Sequence, residues 1–200
     1  MRSAPTFAGI SHYIGPPYAA GVRSVDWRTA MPLTISEVNR MSAAEFVRAL
    51  GGVFEHSPWI AERAFAARPF AGIGALHAAM SDAVRGAGRD AQLALLRAHP
   101  ELAGKEAQAG TLTSDSTAEQ AAVGLSALTR DELQRVSELN RRYRAKFGFP
   151  FIIAVRRHTK DGILREFERR LGLDAETELA NDLEQVFAIT RLRLDGLISG

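Results

Sequence analysis

Three side chains have the types and positions to do chemistry together: His99, Glu119 and Arg193. His99 stands four residues after Leu95 and three after Leu96, at the end of an apolar helical run that Pro100 stops. A histidine there is either a satisfied core residue or an acid/base group. The negative end of the helix dipole favours its imidazolium, and so proton donation near neutral pH. Glu119 is the fourth residue of Ser116-Thr117-Ala118-Glu119, which reads as a capping box and by itself accounts for the glutamate. A helix N-terminus with free N–H groups also suits a polar, anionic ligand. Arg193 falls seven after Val186, four after Ile189 and four before Leu197, inside the apolar stripe of the last helical segment. A guanidinium buried there must meet a carboxylate, carbonyls or an anionic ligand. It is either half of a structural ion pair, with Glu119 or Asp182, or a two-point clamp for a ligand carboxylate or ureido group. Arg191 falls on the polar side.

The elements that must position these groups are helical almost throughout. Ser42-Ala43-Ala44-Glu45 and Thr129-Arg130-Asp131-Glu132 are further capping boxes, and Ser57-Pro58 opens another helix. Helices are expected over about 73–84, 90–99, 130–147, 161–171 and 175–198, with Gly86, Gly148 and Gly172 as stops. No hairpin is evident. Phe149-Pro150-Phe151-Ile152-Ile153-Ala154-Val155 reads as a core segment, in extended chain or one helical turn. The fold class is all-α, a single compact multi-helix bundle spanning 33–200. Residues 1–32 hold prolines and glycines without an apolar period, and form an expected poorly ordered extension, or an artefact of start-site choice with Met31 as initiator.

Composition narrows the function. The 200 residues suit one domain with a real core, and none is cysteine, which excludes disulfides, thiolate nucleophiles and thiolate-bound metals. That absence suits a reducing cytoplasm. The apolar runs are too short to span a membrane as a helix. With 25 basic against 23 acidic side chains, the net charge is only +2. The clusters Arg141, Arg142, Arg144 with Lys146, and Arg165, Arg169 with Arg170, alternate with Glu138, Glu166 and Glu168. They read as a solvated, paired surface and not as a nucleic-acid face. His12, His56, His77 and His158 have no metal-site spacing, so no metal is expected.

The block His99-Pro100-Glu101-Leu102-Ala103-Gly104-Lys105, the Ser116-x-x-Glu119-Gln120 pattern, Phe147 to Val155 and the final Arg191-Leu192-Arg193-Leu194 together resemble the decarboxylase family of the ureide pathway. That family converts 2-oxo-4-hydroxy-4-carboxy-5-ureidoimidazoline (OHCU) to (S)-allantoin in urate degradation. The resemblance runs from about Leu33 to Ile198 and implies a cofactor-independent carboxy-lyase acting on a small molecule. It implies catalytic roles for His99, Glu119 and Arg193. The implied substrate pocket adds Pro100, Ser116, Thr117, Ala118, Gln120 and the backbone of Phe151, Ile152, Ile153, Ala154 and Val155. A homodimer is also implied. The competing reading is a non-catalytic all-α ligand-binding or regulatory module on the same scaffold.

Overall fold

The computed structural model describes residues 32–199. Among them are ten α-helices: α1 (Ile35–Arg40), α2 (Ala43–Leu50), α3 (Trp59–Ala64), α4 (Ile73–Arg85), α5 (Arg89–Arg97), α6 (Lys105–Gln108), α7 (Ser114–Ala122), α8 (Arg130–Phe147), α9 (Lys160–Arg170) and α10 (Ala175–Leu197). The domain is all-α. The expectations for residues 1–31 and the Met31 start lie outside the described residues. One feature was not expected: Leu33–Thr34 and Ile198–Ser199 pair as two short parallel strands that tie the two ends of the domain together.

Local rules explain the helix ends. Capping boxes form at Thr34/Glu37, Ser42/Glu45 and Thr129/Glu132. Gly148 ends α8 at φ 79°, a left-handed conformation that glycine adopts without penalty. The core gathers Phe46, Leu50, Phe54, Ile60, Leu76, Met80, Leu95, Leu96, Val136, Tyr143, Phe167 and Val186. Helix α10 runs through its middle against α4, α5 and α8. His77 of α4, half-buried, donates through Nε2 to the Phe187 carbonyl of α10 at 2.9 Å, a structural tie between the two helices.

The basic surface reading holds for Arg141 and Arg169, which pair with Glu138 and Glu166 on their own helices. It fails for Arg170, which is 2 % exposed and ion-paired with Glu178 and Asp182 of α10. Tyr143 completes this group by donating to Glu178. Burial pushes the Asp182 carboxyl above the usual carboxylate range, with Arg170 opposing. So Asp182 belongs to Arg170 and not to Arg193. The network lies beneath the extended segment 151–154, where Asp182 and Arg170 bind the Ile152 backbone.

Candidate active site

Helix α5 stops at Arg97, and His99 sits in the turn beyond it, 7 % exposed. Its Nδ1 lies 3.0 Å from the Leu95 carbonyl. A carbonyl only accepts, so Nδ1 carries the proton and Nε2 keeps the free lone pair. Burial pushes the His99 pKa below the ordinary histidine value of 6.5. This overturns the expected dipole-favoured imidazolium: at the end of a short helix the dipole offers ~1 kcal/mol, less than the cost of burying a charge. The resting side chain is a neutral imidazole able to accept a proton.

The chain then turns sharply. Ala103 takes φ 47°, and a side chain on Gly104 would approach the Glu101 Cβ to 2.6 Å, which only glycine avoids. Gln120 accepts from the Ala103 N–H at 2.9 Å, and Asn140 donates to the Leu102 carbonyl at 2.9 Å. These two bonds pin the loop after His99 to α7 and α8.

The expected capping box at Ser116 does not form. Helix α7 begins at Ser114, and Thr113 is its N-cap, accepting from the Ser116 N–H. Threonine and serine both fit the cap signature here, and the chain uses the earlier one. Glu119 is therefore a turn inside the helix and freed from capping. It takes Arg193 in a two-point pair, Nε to Oε1 and Nη2 to Oε2, both 2.9 Å. Arg193 also reaches Glu55 at 3.2 Å and the Ser116 hydroxyl at 3.3 Å. Arg191, by contrast, pairs with Asp195 on the exposed side of α10 at 2.9 Å, so the helix phase read from sequence is correct.

A small cavity of about 50 Å³ brings these groups together. His99, Glu119, Arg193, Ser116, Gln120 and Glu55 supply its polar wall. Pro100, Leu102, Phe151, Ile152, Ile153, Val155 and Ile189 supply the apolar one. Three expected pocket residues are not in this wall. Thr117 and Ala118 are exposed on the far side of α7, because only positions three and four apart share its inner face. Ala154 does not line the cavity either, and its N–H donates to Gln185 of α10 at 3.0 Å.

Glu55 escaped the sequence reading. It lies in the loop between α2 and α3, 3 % exposed, and accepts from Thr113 at 2.7 Å and Ser116 at 2.7 and 2.9 Å. The next residue, His56, takes φ 53° and is exposed, so the chain reverses just where the carboxylate turns inward. The one available signal was a lone carboxylate between Phe54 and the Ser57-Pro58 helix start.

The site can therefore bind an anion at the guanidinium, accept N–H groups at a carboxylate, and move a proton at His99 Nε2. A family profile described as OHCU decarboxylase matches residues 39–195. The 2-oxo-4-hydroxy-4-carboxy-5-ureidoimidazoline decarboxylase of Haloferax volcanii is 44 % identical over 162 residues, covering 81 % of this chain and 94 % of that protein. The decarboxylase of the same name from Mus musculus is 40 % identical, with 81 % and 91 % covered. The crystal structure of an (S)-allantoin synthase superposes with a TM-score of 0.65 at 34 % identity, covering 83 % of this chain and 54 % of that one, so this chain spans about half its length. On its sequence and on its fold alike, this chain belongs to the OHCU decarboxylase family.

Proposed function

We propose that this chain decarboxylates 2-oxo-4-hydroxy-4-carboxy-5-ureidoimidazoline to (S)-allantoin without a cofactor, using His99, Glu119 and Arg193. The observation that carries the reading is the meeting of all three at one cavity with an apolar floor. The substrate ring holds an imine that takes up the electron pair as the carbon–carboxylate bond breaks. The ring nitrogen takes up a proton with that pair, the hydroxyl proton then leaves as the ring carbonyl forms, and the neighbouring carbon gains a proton. Exchanging a carboxylate for a C–H consumes one proton per turnover in total. His99, the imidazole of the cavity wall, receives the hydroxyl proton at Nε2 and handles the proton that is delivered to one face.

Arg193 holds the anionic oxygens of the substrate, and Glu119 accepts its ureido or ring N–H groups. Small-molecule pockets run to ~300–1,000 Å³, far above the cavity seen here. Entry therefore opens the wall at Glu119, whose hydrogen-bond partner is Arg193 and which remains partly exposed. The substrate carboxylate competes for the same guanidinium fork. Ser116, Gln120 and the 151–155 segment shape the remainder of the pocket.

The direct test supplies freshly generated substrate to the purified protein with chelator present and follows product chirality by circular dichroism. Dextrorotatory allantoin forming faster than in buffer supports the reading. Racemic product at the buffer rate rejects it in favour of a binding module. We also propose a homodimer in the cytoplasm, supported by the family resemblance and the cysteine-free composition. Light scattering on the purified protein checks the dimer.

A further inference from the structure

The polar wall of the cavity holds one charge more than the proposed chemistry has used. Two carboxylates, Glu55 and Glu119, face a single guanidinium, Arg193. Glu119 engages that guanidinium at both oxygens. Glu55 reaches it through one oxygen only, and its remaining partners are two neutral hydroxyls, Thr113 and Ser116. With His99 neutral, the wall carries one unmatched negative charge. With His99 protonated, it is balanced.

We propose that Glu55 is a positioning residue for the reaction: it anchors Arg193 at the pocket wall and is the counter-charge for a protonated His99. The proposal rests on the decarboxylase reading above. Its physical basis is the cost of a buried imidazolium, which is large unless an opposite charge is fixed nearby. Glu119 is poorly suited to that task, because it is bound by Arg193 and has to meet the substrate. Glu55 is fixed. Its oxygens are held by Thr113, Ser116 and Arg193, and it is more deeply buried than Glu119.

The electrostatics agree with the geometry. Burial alone would push the Glu55 carboxyl up, but Arg193 and the two hydroxyls outweigh it and hold it below 4.5, so it stays ionised. At His99, burial dominates and lowers the pKa. The Leu95 carbonyl and Glu55 act against that, while Arg193 and His56 add to it. The charged and titratable groups facing His99 are thus Glu55 and His56 from the α2–α3 loop, Arg193 from α10 and Glu119 from α7. When the substrate loosens Glu119 from Arg193, Glu55 is the charged contact that stays on the guanidinium, beside the Ser116 hydroxyl and the Val53 carbonyl.

The test compares wild-type protein with Glu55→Gln and Glu55→Asp. The His99 ring C–H resonance is followed by NMR against pH in each, which needs no substrate. Gln keeps the shape and removes the charge, so His99 is expected to titrate at lower pH than in the wild type. Asp keeps the charge but draws it back by a methylene, so His99 is expected between the two. In parallel, kcat/KM of the Gln variant is expected to fall ~10–100-fold, up to the lower end of what a positioned acid–base group contributes, because the amide neither offsets an imidazolium nor carries charge to Arg193. The acid limb of its pH profile moves in the same direction as the resonance.

If the Gln variant does not fold, the Asp variant decides. A His99 titration displaced to lower pH supports the proposal, and one identical to the wild type overturns it. An identical titration in all folded variants overturns it likewise, whatever the turnover. Failure of the wild type to make (S)-allantoin would sink the decarboxylase reading alone, since the NMR comparison stands without it.

Discussion

Arg170 and Asp182 hold the same residue from both sides: the Ile152 carbonyl accepts from Arg170 Nη1 at 2.8 Å, and the Ile152 N–H donates to Asp182 Oδ1 at 3.2 Å. One buried ion pair therefore fixes the backbone of the segment that walls the cavity. Helix α9 supplies one partner and α10 the other, so the wall is set by how two helices pack and not by a regular element of its own. The stacked rings of Phe151 and Phe167, with centroids 3.9 Å apart, seal the same junction.

Replacing Arg170 by methionine is expected to destabilise the fold by ~3–5 kcal/mol, because it strands Glu178 and Asp182, both fully buried, without their cation. Urea unfolding at neutral pH measures it. A change below ~1 kcal/mol, the worth of an exposed pair, would mean the network contributes no more than a surface bridge.

At the far end of α10, Arg193→Lys is expected to lose ~100-fold or more in kcat/KM, while Arg191→Lys changes it little. Arg193 spends two nitrogens on a two-point pair that an ammonium cannot reproduce. Arg191 makes an exposed contact with Asp195, four residues away, of the kind worth ~0.3–0.5 kcal/mol. Equal losses from the two substitutions would contradict the role given to Arg193.

Helix α7 separates capping from chemistry. Thr113→Ala is expected to cost ~1 kcal/mol or somewhat more, since it removes the N-cap and a bond to Glu55. Glu119→Gln caps nothing and leaves the helix start intact, yet turnover is expected to fall ~100-fold, because an amide presents a donor where substrate N–H groups need an acceptor. Melting curves and single-turnover rates on both variants check the contrast. Normal turnover in Glu119→Gln would leave His99 and Arg193 as the catalytic pair.

The helical frame and the phase of Arg193 were legible in the sequence because period and punctuation are local properties. His99 was legible as a helix-end residue, though not its charge state, which depends on what the rest of the chain packs over it. Glu55 and Arg170 were not legible. A loop carboxylate has no period, and Arg170 sits in a run of arginines whose other members are exposed, so only the tertiary partners from α10 distinguish it. The cap of α7 was ambiguous for a different reason: Thr113, Ser114 and Ser116 all carry the required hydroxyl. The choice falls on Thr113, whose hydroxyl also meets buried Glu55.

The charge state of His99 sets the behaviour of the fold in acid. Its pKa in the folded chain lies below the ordinary value of 6.5, chiefly through burial, and His77 is lowered for the same reason. The unfolded chain binds a proton at each site as pH falls below ~6.5, while the folded chain still resists. Their contribution to stability is therefore fully present above that value and is lost as pH falls through the folded pKa. Lowered carboxylates such as Glu55 add a further loss only below their own ordinary value of 4.5. Asp182 runs the other way: its carboxyl is raised to about 7, so the folded chain takes up that proton first and offsets part of the histidine loss in the same window. With two histidines against one aspartate, the melting temperature is expected to drop between about pH 7.5 and 5.5, before any lowered carboxylate titrates. His99→Asn is expected to flatten part of that drop, since its amide can still donate to the Leu95 carbonyl but takes up no proton. His77 and the opposing Asp182 account for the slope that is left. If His99→Asn shows the same slope as the wild type across this window, His99 is not the buried neutral imidazole described here.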